Sequence, residues 1–112
     1  MDDRALLERA AAAAGYEVAR VADDGESLML VGMQEPWNPR RDDGQALRLA
    51  VKLNLMIVIR PSDVRCNSWG STDKRREFLT GKTDPCAATR RAITRAAAAL
   101  AVQQEGARNV EG

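Results

Sequence analysis

At 112 residues, with 17 Lys and Arg against 16 Asp and Glu, the chain is long enough for one compact domain that buries most of its apolar surface without staples. Histidine is absent, which removes the commonest general base, zinc ligand and triad partner at once. No stretch approaches the ~20 apolar residues of a membrane span, and Cys66 and Cys86 fit no metal-ligand spacing, so reduced thiols are expected.

The opening "MDDRALLERA" carries acids where a signal peptide carries bases, which predicts a cytoplasmic protein. Asp2 or Asp3 can cap a first helix through Leu6, Leu7, Ala10 and Ala13, and Gly15 supplies its left-handed stop. Residues 16–22 (YEVARVA) and 27–33 (SLMLVGM) read as strands joined by an Asp-Gly turn, a hairpin. Pro36 and Pro39 then bias Glu35 and Asn38 away from helix, so Trp37 sits in an extended or turned segment. Asp42 or Asp43 can cap a second helix whose stripe is Ala46, Leu47, Leu49, Ala50 and Leu53. Arg48 and Lys52 take its opposite face, and Asn54 is its expected stop.

Residues 55–59 (LMIVI) read as a buried strand ended by "RPSD", and residues 64–69 (VRCNSW) should pair antiparallel with it. A polar loop, "GSTDKRR", leads to "EFLTG", a short edge strand. Asp84 caps the last helix, with Pro85 in the first turn, where its missing N–H costs nothing. Ile93, Ala96, Ala97 and Leu100 are expected to face inward and Arg90, Arg91, Thr94 and Arg95 outward. Residues 1–104 then form a single domain and 105–112 a frayed tail. The fold expected is α+β: a mostly antiparallel sheet of four to five strands and three helices, packed as an α-β-α sandwich.

Much of the 45% hydrophobic content is alanine, and the only aromatics are Tyr16, Trp37, Trp69 and Phe78. The bulky core must come from Leu, Ile, Val and Met, which makes each tryptophan conspicuous. Trp37 reads first as a plug over the core, its indole N–H bonded to a backbone carbonyl. The functional alternative puts it at a pocket rim, stacked on a planar group while Arg40 and Arg41 hold an anion. Charge is uneven: residues 1–35 hold eight acids against three bases, and residues 36–112 fourteen bases against eight acids. Arg90, Arg91 and Arg95, with Lys74, Arg75 and Arg76 before them, make a basic cluster able to contact nucleic acid or a phosphorylated ligand. Trp69 or Phe78 could anchor a protein partner. Cys86 lies in a helix first turn but lacks a histidine partner, and no catalytic constellation emerges.

The segment "PWNPRRDDGQALRLAVKL", followed after a β segment by "TDPCAATRRAITRAAAAL", resembles the phage ABA-sandwich type of small phage and prophage proteins. The likeness covers about residues 36–101: a Trp-x-Pro, an Asp before an alanine/leucine helix, and a late "A..RAI.RAA" helix. It implies a helix–sheet–helix layered fold and a phage or prophage origin, casts Trp37 and Asp43 as fold determinants, and implies no catalytic residues.

On that basis the expected function is a non-enzymatic accessory protein of the bacterial host cytoplasm that binds a host component stoichiometrically, countering a host defence. Its partner is either a host protein or a small phosphorylated nucleotide, the latter held by arginines in a pocket, between protomers if the chain forms a homo-oligomer. Nucleic-acid binding through the basic C-terminal half is the alternative, and a structural role in the phage particle a further one. Neither a cofactor nor a membrane partner is expected.

Overall fold

Local signals set the element boundaries. Asp2 caps the first helix, α1 (Asp3–Ala13), by accepting from the Ala5 N–H at 2.8 Å, and Gly15 stops it at φ 78°. The strands β1 (Val18–Val21) and β2 (Leu28–Leu30) form the expected antiparallel hairpin. In its turn Asp24 accepts from the N–H groups of Glu26 and Ser27 and from the Ser27 hydroxyl. Asp42 caps α2 (Asp43–Lys52), and Asn54, at φ 54°, takes the left-handed position after it. The strands β3 (Leu55–Ile59), β4 (Asp63–Ser68) and β5 (Arg75–Phe78) pair antiparallel in that order. Asp84 accepts from the Cys86 N–H at 3.0 Å at the head of α3 (Pro85–Glu111). The computed structural model describes residues 2–68, 75–78 and 84–111, with side-chain surroundings for 2–68 and 84–102.

The α+β class with three helices is as expected, but the single sheet is not. Five described strands divide into a two-stranded sheet, β1-β2, and a three-stranded one, β3-β4-β5. One physical reason lies at β2. Its outer edge is already taken at Leu28 by a bridge to Trp37, and the prolines flanking Trp37 have no N–H with which to extend a ladder.

The layering is also corrected. Val64 and Cys66 of β4 share one core with Ala46, Leu49 and Ala50 of α2 and with Ala88, Ala92 and Ile93 of α3, so both helices cover the same sheet face. α1 packs along α3 rather than on the sheet. The same core takes in Leu7, Leu28 and Trp37, so the described elements form one packed unit.

α3 is therefore the central element, touching α1, α2 and all three strands of the larger sheet. Ala88, Ala92, Ile93, Thr94, Ala96, Ala97, Ala98 and Ala101 are all buried. At ~100° per residue these positions cover roughly 280° of its circumference, leaving a narrow solvent sector for Arg91, Arg95 and Val102. Thr94, expected outside, is fully buried and donates its hydroxyl to the Arg90 carbonyl at 2.8 Å. The backbone stays helical through Glu111, where a tail was expected from residue 105.

Three smaller expectations change. Leu47, placed in the inward stripe of α2, is 60% exposed. Residues 55–59 are not a buried strand: Met56 and Val58 alternate away from the sheet face that α2 and α3 cover, and Ile59 lies at the end of an edge strand, so all three are exposed. Arg75 and Arg76 belong to β5, not to the loop before it.

The turn between β3 and β4 carries a buried charge. Asp63 accepts from Arg60 Nε and Nη2, each at 2.6 Å, and from Arg65 Nε at 3.3 Å. The Arg60 hydrogen bonds, opposed by desolvation and aided by Arg65, hold its carboxyl at about 2 against the ordinary 3.8. Asp24 is likewise lowered to about 2, chiefly by the Ser27 N–H, with the Ser27 hydroxyl and the Glu26 N–H adding. A carboxyl depressed in the folded state stabilises above its unfolded value and loses that contribution as pH falls through the folded one. Stability should therefore decline from about pH 4 towards pH 2. Denaturant midpoints measured across that range should fall steeply for the native chain and less steeply for Asp63→Asn. An unchanged slope would remove Asp63 as a source.

Candidate anion-binding site

The segment between β2 and α2 builds one wall of the site, and Trp37 fixes it. The indole is 3% exposed and lies edge-on to Tyr16, ring centroids 5.8 Å apart at 80°. Its backbone, rather than the expected indole–carbonyl bond, anchors it: the N–H donates to the Leu28 carbonyl at 2.7 Å, and its carbonyl accepts from the Leu28 N–H at 3.0 Å. Trp37 is thus the plug, and the alternative in which its face stacks on a ligand is corrected.

Next to it lies a buried polar knot that sequence reasoning missed. Asn38 donates its N–H to Gln45 Oε1 at 2.6 Å and its side-chain amide to the Ser27 hydroxyl at 3.3 Å. Its Oδ1 accepts from the Arg40 N–H at 3.1 Å, and its carbonyl accepts from the N–H groups of Arg41 and Asp42. Gln45 Nε2 completes the knot by donating to the Pro36 carbonyl at 3.0 Å. The available signal was Asp42-x-x-Gln45, the spacing of a capping box, whose glutamine here reaches further back than the cap itself.

This knot aims Arg40 and Arg41 into a cleft of about 570 Å³, where α3 contributes Arg91 and the start of α1 contributes Arg4. The lining holds those four arginines against Asp2, Asp3 and Glu26. Arg40 Nη1 pairs with Asp3 Oδ2 at 2.9 Å, and Arg41 pairs with Glu26. Both acids are largely solvated, so each pair is weak and exchangeable. Arg40 Nε is buried and has no hydrogen-bond partner. An incoming anion could displace Asp3 and Glu26 and take over the guanidinium donors in forked geometry.

Of the residues singled out in the sequence, Arg40, Arg41 and Arg91 meet in this cleft. Arg90 does not. Its Nε donates to the Arg40 carbonyl at 2.7 Å and its Nη1 to Asp43 Oδ1 at 2.6 Å. At 17% exposure it is a tie between α3, the Trp-Pro segment and α2, not an outward basic arm. Arg95 is exposed and does not line the cleft. Trp69 and Lys74 lie outside the described residues, as do the side chains of Arg75, Arg76 and Phe78. The contributions of Asp2, Asp3, Arg4 and Glu26 had no sequence signal, because only tertiary packing brings α1 and the hairpin turn beside Arg91.

Both cysteines are free thiols. Burial pushes the Cys66 thiol up to about 12, so it packs as a small apolar group. Among the described residues no helix is long and apolar enough to cross a membrane. No family model, curated protein or solved structure matches the chain.

Proposed function

We propose that the protein is a non-catalytic binding protein that captures a small phosphorylated ligand, of nucleotide type, in the arginine cleft. The observation that carries this reading is the convergence of Arg40, Arg41 and Arg91 from two separate elements on one cavity of about 570 Å³. That volume suits a small ligand, and Arg40 and Arg41 are held only by exchangeable pairs with solvated carboxylates that a phosphate could displace. Capture of such a ligand is a stoichiometric act that needs neither a general base nor a metal. A phage or prophage accessory protein acting in the host cytoplasm rests on the sequence likeness of residues 36–101 alone, since the helix–sheet–helix layering it implies is not the one observed, and sequestration of a nucleotide signal would fit defence evasion.

Nucleic-acid binding draws less support, because Arg90 is withdrawn from the basic face it would use. Calorimetric titration with pyrophosphate and a panel of mono-, di- and cyclic nucleotides tests the proposal. Arg41→Ala and Arg91→Ala should each weaken binding about tenfold or more, the worth of a charge-assisted hydrogen bond, while Arg95→Ala should not. No heat from any phosphorylated compound would overturn the reading. Binding of long DNA or RNA alone, with affinity falling steeply in salt, would replace it with the nucleic-acid one.

A further inference from the structure

The strongest unassigned feature is the open edge of β3. It is the first strand in the order β3-β4-β5, and among the described residues nothing pairs with its outer side. The Arg60 N–H donates to the Asp63 carbonyl at 2.9 Å, which points the backbone groups of Arg60, and by alternation of Val58 and Met56, towards β4. Leu55, Ile57 and Ile59 therefore turn three N–H and three C=O groups outwards. Natural edge strands are blunted by lysine, proline, bulges or brevity; this one is five apolar residues with none of the first three.

Apolar surface flanks the same edge. Ile59 is 62% exposed and Val58 40%, and on α2 the exposed Leu47 and Val51 stand one helical turn apart. Leu47 and Ile59 line a groove of about 380 Å³ with Ile57 and Ile93.

The sequence of the strand selects the occupant. "LMIVI" is symmetric in character about Ile57. Turned through a two-fold axis there, Leu55 meets Ile59 of the second copy, Met56 meets Val58, and Ile57 meets itself. Apolar then faces apolar throughout. The outward parity makes 55–59, 57–57 and 59–55 hydrogen-bonded pairs, using every exposed backbone group of the three residues. Charge excludes the other candidates among the described strands: β1 carries Arg20, β4 carries Asp63 and Arg65, β5 carries Arg75, Arg76 and Glu77, and β2 has only three residues.

We propose that β3 is a homodimerisation edge, pairing antiparallel with β3 of a second copy about a two-fold axis through Ile57 to make a continuous six-stranded sheet. The paired area is modest, so the dimer is reversible, with Kd roughly micromolar.

Sedimentation equilibrium on the full chain tests this with charges placed at Met56 and Val58, positions that oppose each other only in the proposed register. Met56→Lys with Val58→Lys sets lysine against lysine and should raise Kd about tenfold or more. Met56→Glu with Val58→Lys sets opposite charges face to face and should restore dimerisation. A native chain that is monomeric at about 100 μM, a double-lysine variant that dimerises as well as the native chain, or no rescue by the glutamate variant would each overturn the proposal. Amide hydrogen exchange of the native protein gives a test that needs no variant. Protection should rise with concentration at Leu55, Ile57 and Ile59 and stay constant at Met56 and Val58; equal behaviour at both sets would also overturn it.

Discussion

Replacing Trp37 with alanine should lower the unfolding free energy by about 3–5 kcal/mol, the range for removing a large buried aromatic. The upper part of that range is expected, because of what surrounds the ring. A cavity costs less when neighbours can swing in to fill it, and the core cluster to which Trp37 belongs is largely alanine, which has no rotamers to change. Tyr16 meets the ring edge-on, and Lys52 lies 5.0 Å above the Tyr16 ring, so loss of the indole also unseats that contact. The same substitution should weaken binding in the arginine cleft, since the backbone bonds to Leu28 survive it but the buried ring no longer fixes the segment from which Arg40 and Arg41 project. Urea unfolding followed by far-UV circular dichroism checks the first effect and calorimetry the second. A loss below about 1 kcal/mol would mean that the ring is not a plug.

What the sequence disclosed was local. The caps at Asp2, Asp42 and Asp84, the turns at Gly15, Gly25 and Asn54, and the hairpin between β1 and β2 each depend on side chains reaching backbone a few residues away. Such contacts leave a pattern in the chain itself. The position of Trp37 was also legible, because an indole between two prolines has few ways to satisfy itself. Arg40 and Arg41 were singled out only with Trp37 at a pocket rim; that they line a cleft beside a buried Trp37 depends on the Asn38–Gln45 knot, which sequence reasoning missed. Arg90 and Arg91 were not separable: one step along a helix, about 100°, turns the first into a structural tie and the second into a cleft wall. Burial of residues 55–59 was misjudged because a continuous apolar run reads as covered on both faces, whereas only the face of Ile57 meets α2 and α3, and that depends on packing elsewhere in the chain. Alanine concealed most of all. It is small enough to sit on any face of a helix, so the stripe Ile93, Ala96, Ala97 and Leu100 marked only part of the surface that α3 buries between Ala88 and Ala101.

That property makes α3 the most easily overfilled part of the molecule. Ala92 and Ala97 are both fully buried and lie about 140° apart around the helix, so they meet different neighbours. A leucine at either position forces displaced backbone or off-rotamer side chains, at about 1–3 kcal/mol each. Because the two sites do not share one face, neither strain relieves the other, and the costs should nearly add to about 2–6 kcal/mol. Helix propensity does not confound the comparison, since leucine is nearly as good a helix former as alanine. On a helix with one buried stripe, one of the two substitutions would fall on the solvent side and be close to neutral. Thermal unfolding of Ala92→Leu, Ala97→Leu and the pair therefore reads the architecture directly. Two costly single substitutions with near-additive losses place α3 at the centre of the fold, whereas one neutral substitution would return it to the edge.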